Sequence, residues 1–214
     1  GFASSPSSKK ATAFKNKFKE IGISLEIPDL EGGDFENMTL TRQMNVLSQR
    51  LDQAQDRSVC LIGSSMGAYI AVLAAQNMLN IKALYLMAPG FNFMDRWMRN
   101  LNLDYDDEAS WKAMIPVFHY RYGETKHIHT RLFKDAMDWS RLELKRKLPT
   151  RIVHGIHDEV VAIDESRKFV SSRPWCLFRE LDSDHSLLSH TDWIIDDCLI
   201  FFSKLKLILE ANNI

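Results

Sequence analysis

The sequence predicts an α/β protein with a mainly parallel, doubly wound sheet, flanking helices and a helical cap insertion. Strand-like and helix-like segments alternate along most of the 214 residues, which is typical of a parallel sheet. The segment 59–62 is a short, unbroken apolar run, as expected for a strand covered on both faces. The alternation fails between about 91 and 148. This stretch is therefore interpreted as the cap, inserted into a single domain that spans 1–214.

The composition disfavours several classes of partner. The chain carries 27 basic and 28 acidic residues, so its charge does not favour nucleic acid or an anionic membrane surface. No apolar run approaches the ~20 residues that span a bilayer. The three cysteines have no paired spacing and are predicted to be free thiols in a reducing compartment such as the cytoplasm. We expect a small-molecule partner, whereas the oligomeric state is not predicted.

In the first half of the chain, capping and turn residues mark the element boundaries. A serine at position 7 or 8 is expected to cap the first helix, and Pro28 to end the first strand. A further strand is expected before Gly1, because a domain of this type needs one there. In chain order the predicted elements are helix 9–21, strand 23–28, turn 31–34, helix 39–56, strand 59–62, helix 66–79 and strand 81–88.

The cap segment is rich in aromatic residues, and the alternation of strands and helices resumes after it. It holds 10 of the 22 aromatic residues and follows the C-terminal end of a strand, where α/β folds place their ligand sites. An apolar pocket is expected there, and a separate small core is the alternative. The pocket candidates are Phe91, Phe93, Trp97 and Phe118. The predicted elements are short helices at 111–118 and 130–139, strand 150–155, helix 163–171, strand 175–181 and a final helix at about 191–211.

The pentad Gly63-Ser64-Ser65-Met66-Gly67 lies between the strand 59–62 and an alanine-rich helix. A strand-to-helix turn this sharp strains its central residue and crowds the residues two before and two after it. Gly63 and Gly67 relieve that crowding, and the hydroxyl of Ser65 is left at the tip, near the positive end of the helix. The pentad predicts a nucleophile elbow, and an ordinary glycine-rich turn is the alternative.

A nucleophilic serine needs a base within hydrogen-bond reach and a third group that orients the base. His185 follows the last predicted strand, and Asp158 follows the strand before it. Because parallel strands end at the same edge of the sheet, both residues are expected near Ser65. The chain order of serine, acid and base differs from the orders of chymotrypsin and subtilisin.

Other residues offer alternative assignments. Glu159 is the alternative acid and His190 the alternative base, while Ser64 is a weaker nucleophile candidate because glycines do not flank it on both sides. Asp182 and Asp184 are interpreted as turn-forming or solvated carboxylates.

Neither a metal nor an organic cofactor is predicted. The histidine pairs at 127 and 129 and at 154 and 157 lack a cysteine or carboxylate at regular ligand spacing. These histidines are interpreted as surface or core residues, and the pair Lys9-Lys10 as a solvated charge run at a helix end.

The elbow, the segment 154–161 and the segment 184–186 together resemble the α/β-hydrolase superfamily, specifically small serine esterases and thioesterases with a short cap. The resemblance implies that Ser65 is the nucleophile, Asp158 the acid and His185 the base. Gly1-Phe2 is similar to the end of the His-Gly-x loop of the family. This implies that the backbone N–H groups of Phe2 and Met66 form the oxyanion hole. The cap matches no subfamily.

Together these residues predict a serine hydrolase that cleaves ester or thioester bonds of small, apolar acyl or aryl substrates through an acyl-enzyme. Because a neutral His185 is needed to accept the proton, activity should rise with pH through the range in which histidines ionise. The same triad serves peptidases and carbon–carbon bond hydrolases, and non-catalytic ligand receptors share the fold, so these remain alternatives.

Overall fold

The structure, a computed structural model, describes residues 1–55 and 57–207. The strands are β1 (Val59–Ser64), β2 (Ile81–Met87), β3 (Met114–His119), β4 (Glu124–His129), β5 (Thr150–Gly155) and β6 (Cys176–Leu181). The helices are α1 (Lys9–Glu20), α2 (Leu40–Gln53), α3 (Met66–Asn77), α4 (Phe93–Asn100), α5 (Arg131–Ser140), α6 (Asp164–Ser171) and α7 (Thr191–Lys204).

The central sheet has the strand order β1-β2-β5-β6, and each neighbouring pair is parallel. The predicted parallel α/β sheet is therefore confirmed. Along β2, Ala83 and Tyr85 face the core that α1 and α7 cover, whereas Leu84 and Leu86 face the core that α2 and α3 cover. This alternation with a period of two places apolar side chains on both faces, which explains the unbroken apolar runs of the sequence.

The strand predicted at 23–28 is wrong. This segment belongs to no strand pair among the described residues, and β1 is the edge of the sheet on its side. Ile23 and Leu25 pack against the core beneath α1 and α7 while the residue between them does not. The alternation of apolar and polar residues therefore reflects one-sided packing of an extended segment rather than a backbone ladder.

The short helix predicted at 111–118 is also wrong. Residues 114–119 form β3, which pairs with β4 in an antiparallel hairpin. Ile115 and Val117 are buried, whereas Pro116 and Phe118 are exposed, so the burial has the period of a strand. The helix predicted at 130–139 is confirmed as α5. The segment between β2 and β5 is thus helical at both ends with a hairpin in the middle.

Most other predicted boundaries agree within a few residues. The helix predicted at 39–56 ends at Gln53, and the final helix ends at Lys204 rather than near 211. The predicted residues 56 and 208–211 lie outside the described part of the chain. Within the described ranges, no helix has the length and apolar character needed to cross a bilayer.

The connection from β2 to β5 bonds to the main domain along its length, and its hairpin contributes the contact of His119 Nε2 with Glu31 Oε1 at 2.7 Å. At its start, the carboxylate of Glu165 on α6 accepts hydrogen bonds from Asn92 N (2.9 Å) and Arg96 Nη1 (2.6 Å). In the middle, Thr41 on α2 bonds to α5: its N–H donates to Asp135 Oδ2, and its hydroxyl accepts from the indole N–H of Trp139. At its end, the guanidinium of Arg146 donates to four carbonyls at and beyond the C-terminus of α3, those of Ala75, Met78, Leu79 and Ile81.

Candidate active site

The turn between β1 and α3 holds Ser65 in a strained backbone conformation. Ser65 has φ 54° and ψ −123°, a region that costs a residue other than glycine about 1–3 kcal/mol. Backbone hydrogen bonds to the neighbouring strand and loop hold it there, from Ser65 N to Met87 O (2.9 Å) and from Gly90 N to Ser65 O (3.2 Å). The predicted strand, sharp turn and helix are all present, with Ser65 at the turn.

The two glycines of the pentad have different surroundings. A Cβ on Gly63 would lie 2.5 Å from Ala68 Cα and 2.7 Å from Gly67 O, which are backbone atoms of the first turn of α3. A Cβ on Gly67 would lie 3.8 Å from Gly1 N, its nearest neighbour outside the helix. The crowding expected at both positions is therefore found only at Gly63.

Three of the described residues other than glycine that have a positive φ lie around the C-terminal edge of the sheet. Positive φ angles occur at Ser65 after β1, at Ala88 (42°) after β2, and at Leu187 (55°) close to His185. The register aligns Ser64 with Met87 and Met87 with Val153, so these strands end at the same level. Strain of this kind clusters at functional sites, and its position agrees with the edge predicted for the site.

Asp158 and His185 are brought together at this edge. Asp158 Oδ2 lies 2.7 Å from His185 Nδ1, and the Asp158 side chain is 0% exposed. Burial by itself would raise the pKa of Asp158. Hydrogen bonds from His154, His185 and the backbone N–H of Val161 outweigh it and hold the pKa well below its usual range. Asp158 is therefore an ionised acceptor beside the imidazole of His185.

The alternative residues lie in other environments. The carboxylate of Glu159 is 3.4 Å from the backbone N of His185 rather than bonded to its ring. His190 Nδ1 is bonded to the hydroxyl of Ser189. Asp184 accepts from the turn after it, namely from Ser186 Oγ and Leu187 N, and the exposed Asp182 bonds to His157. Asp182 and Asp184 thus have the solvated and turn-forming roles that the sequence suggested.

The start of α3 and the start of the chain both lie close to Ser65 in space. Met66 is the first residue of α3, so its N–H has no acceptor within the helix. A Cβ on Gly1 would lie 3.9 Å from Ser65 Cβ, which places the start of the chain, and with it Phe2, beside the elbow. Within the described residues no hydrogen bond joins Ser65 to His185, and such bonds are often long before a substrate binds.

The four pocket candidates do not form one cluster. Phe93 is buried near Tyr69, Phe91 stacks on Phe169 with 4.1 Å between ring centroids, and Phe118 is 52% exposed. The Trp97 ring lies 4.8 Å from that of Phe2. The Phe2 ring also lies 5.8 Å from that of Phe35, a neighbour that the sequence did not suggest.

Lys10 and His154 are two neighbours of the site that the sequence interpretation missed. Lys10 Nζ lies 3.2 Å from Ser64 Oγ and is not solvated as expected for a charge run. Burial lowers the pKa of Lys10 to about 8, although Asp184 and Asp158 act in the opposite direction. The spacing held a signal, because Lys10 precedes the buried Phe14 and Phe18 by one and two helical turns. His154 hydrogen-bonds to Asp158 directly.

Replacing Lys10 by methionine is expected to stabilise the protein by about 2 kcal/mol at pH 7. A lysine whose pKa falls on folding destabilises the folded state fully below its folded pKa of about 8. This cost fades as the pH rises toward about 10.4, where the unfolded chain also loses the proton. Urea denaturation at pH 7, 8, 9 and 10 measures the gain, which should shrink across the series.

The exposed neighbour Lys9 provides the control, since Lys9→Met should change the free energy of unfolding by less than about 0.5 kcal/mol at every pH. A destabilised Lys10→Met variant at pH 7 would mean that attraction to Asp158 and Asp184 exceeds the cost of burying the ammonium.

Among the described residues, no group of three or more His, Cys, Asp or Glu side chains is placed to hold an ion. The three cysteines are free thiols. The site therefore consists of a strained serine, a buried carboxylate with its imidazole, and backbone N–H groups at a helix N-terminus.

Known proteins share this fold. The model of a family described as "Uncharacterised protein family (UPF0227)" matches residues 1–196. Est1E from Butyrivibrio proteoclasticus, with ferulic acid bound, is 20% identical over 95% of this chain and 86% of its own, with a TM-score of 0.79. Mouse alpha/beta hydrolase domain-containing protein 10 is 18% identical over 96% of this chain and 88% of its own, with a TM-score of 0.72. A structure from work on LipS and LipT, two metagenome-derived lipolytic enzymes, is 16% identical over 95% of this chain and 91% of its own, with a TM-score of 0.76.

A comparison with curated proteins finds no match. At these identities the structural likeness shows the fold alone, and it confirms the α/β-hydrolase fold that the elbow and the segment 154–161 predicted.

Proposed function

Since the chain belongs to the UPF0227 family and has the α/β-hydrolase fold, we propose that it is a serine hydrolase that cleaves carboxylic ester or thioester bonds. The observation that carries the proposal is the combination of Ser65 at φ 54° with the Asp158–His185 bond of 2.7 Å, both at one edge of the sheet. A turn strained at a serine, at the same edge of the sheet as an imidazole held by a buried carboxylate, is the arrangement that nucleophilic catalysis needs.

In the proposed reaction Ser65 Oγ attacks the carbonyl carbon of the substrate while His185 Nε2 takes the hydroxyl proton. Asp158 holds the ring so that Nδ1 carries its hydrogen and Nε2 can accept. The negative oxygen of the tetrahedral intermediate is stabilised by the N–H groups of Phe2 and Met66. His185 then protonates the leaving alcohol or thiol, and water releases the acyl group by the same steps in reverse.

The proposed substrate carries an apolar acyl or aryl group. The rings of Phe2, Trp97 and Phe35 form an aromatic group beside the elbow, at 4.8 Å and 5.8 Å from the central Phe2 ring. Est1E, which shares the fold, holds ferulic acid, an aromatic carboxylic acid. Residues 91–148 supply Trp97 and are proposed to act as a cap over this side of the site.

The proposal is tested with p-nitrophenyl esters from acetate to palmitate and with p-nitrophenyl benzoate as the aryl member. We expect turnover, with kcat/KM rising from acetate to a longer or aryl acyl group because the acyl side meets aromatic rings. The matching acyl thioesters, followed through thiol release, distinguish the two leaving groups. If the folded protein hydrolyses no member and a fluorophosphonate fails to label Ser65, the proposed function is wrong.

A further inference from the structure

His154 is a fully buried histidine in the strand that leads to Asp158. It lies one residue before the end of β5, and its side chain is 0% exposed. Its Nε2 lies 3.0 Å from Asp158 Oδ2 and 3.0 Å from Val161 O, and its Nδ1 lies 2.8 Å from Ser166 Oγ. Ser166, on α6, is itself fully buried. Both ring nitrogens are therefore bonded inside the protein.

These partners assign the hydrogen on the ring. Nε2 faces a carboxylate oxygen and a carbonyl oxygen, which only accept, so Nε2 must carry a hydrogen. The hydroxyl of Ser166 can donate to an unprotonated Nδ1, which satisfies the neutral ring completely. Ser166 thus supplies the second partner of the tautomer in which His154 donates to Asp158.

Asp158 receives donors on both of its oxygens. Oδ1 accepts from the backbone N–H groups of Val160 (2.9 Å) and Val161 (2.7 Å). Oδ2 accepts from His154 at 3.0 Å and from His185 at 2.7 Å. The two backbone N–H groups hold Oδ1 in place. The position of Oδ2 relative to His185 therefore depends on the hydrogen bond that Oδ2 accepts from His154.

We propose that His154 is a positioning residue, which holds Asp158 Oδ2 against His185 and is itself held by Ser166 in a relay from α6 to the catalytic base. The inference rests on the proposed function, because it concerns the same site. Without the His154 donor, Oδ2 has a free lone pair in a buried site, and the carboxylate can turn or draw in water. A misplaced carboxylate weakens the orientation of the His185 ring, which matters most when that ring becomes charged in the transition state.

The test compares His154→Met, which removes the donor, with His154→Gln, whose amide N–H₂ reaches about as far as Nε2. We expect His154→Met to lower kcat by about 10- to 100-fold with KM changed less than about 2-fold, as loss of a supporting partner typically does. His154→Gln should recover most of this loss. Ser166→Ala should lower kcat by about 3- to 10-fold, because His154 loses its partner at Nδ1 but keeps its contact with Asp158. If His154 served only packing, His154→Met would lower the melting temperature but would not lower kcat at an unchanged KM.

A second measurement does not depend on turnover. The hydrogen between His185 Nδ1 and Asp158 Oδ2 should give a downfield proton resonance in the wild-type protein. It should move in His154→Met and Ser166→Ala and return toward its wild-type position in His154→Gln. If the wild-type protein is inactive, the proposed function is contradicted. The proton resonance then decides whether His154 positions Asp158.

An unmoved resonance and unchanged kcat in folded His154→Met would overturn the inference. Should His154→Met fail to fold, the same two results in Ser166→Ala, where a small hydroxyl alone is removed, would overturn it.

Discussion

Replacing Ser65 by alanine is expected to lower kcat for ester hydrolysis by about 10⁴- to 10⁶-fold, because no other group at the elbow can form the acyl-enzyme. Alanine and serine tolerate the positive φ of this position about equally, so the variant should keep the fold and the melting temperature of the wild type. The measurement is kcat on the best p-nitrophenyl ester, together with labelling by a fluorophosphonate, which should disappear in the variant.

Ser64→Ala is the matched control for this prediction. Ser64 is the adjacent serine, and its hydroxyl is bonded to Lys10. Its replacement should leave kcat within about 3-fold of the wild type, since it takes no part in the proposed chemistry. Activity retained in Ser65→Ala, or lost in Ser64→Ala, would contradict the assignment of the nucleophile.

Gly63→Ala is expected to destabilise the protein by about 3 kcal/mol and to lower kcat by about 100-fold or more. The added methyl would meet Ala68 Cα at 2.5 Å and Ala68 N at 2.8 Å. These are backbone atoms that no side-chain rotation can clear, so β1 and the start of α3 must separate and Ser65 must move with them. Urea denaturation gives the free energy of unfolding, and ester hydrolysis gives kcat.

Gly67→Ala makes the same chemical change in the same pentad at a position with space. The nearest neighbour outside the helix is 3.8 Å away, and alanine is the better helix former, so this variant should be as stable as the wild type or up to about 1 kcal/mol more stable. Equal destabilisation of the two variants would show that the steric difference between the positions is not what requires glycine.

The parts of the fold that the sequence predicted correctly are those whose signals are local. The elbow is encoded in a pentad between an apolar run and an alanine-rich helix, and the structure has β1 and α3 on either side of Ser65. Asp158 and His185 follow consecutive strands of the second half, and a parallel sheet must bring such positions to one edge. Their hydrogen bond therefore follows from topology, once the alternation of strands and helices is recognised.

The wrong predictions concern segments whose structure depends on distant partners. The alternation at 23–28 suits a strand, but whether it pairs depends on a neighbouring strand that no local pattern reveals. The helix predicted at 111–118 is wrong because residues 114–119 pair with β4. Apolar residues there do not alternate with polar ones in the sequence, and Pro116 is the local signal against a helix.

The missed neighbours of the site were hidden for a related reason. Lys10 is adjacent to the exposed Lys9, which favours a solvated charge, whereas its spacing to Phe14 places it on the buried face of α1. The donor role of His154 depends on an acceptor four residues later and on Ser166, a residue of the next helix. Sequence spacing alone does not show that a loop folds back to bring these groups into contact.

The connection between β2 and β5 limits how such a domain can exchange parts with its relatives. These strands are parallel neighbours, so the chain must cross the sheet between them, and a crossover needs a dozen or more residues. Because α5 bonds to Thr41 and Arg146 bonds to carbonyls at the C-terminus of α3, both parts of the connection support the main domain. The hairpin of β3 and β4 is bonded to the main domain as well, through His119 to Glu31 and through Arg121 to Asp29. Excision of the whole segment would therefore remove these contacts together with the crossover.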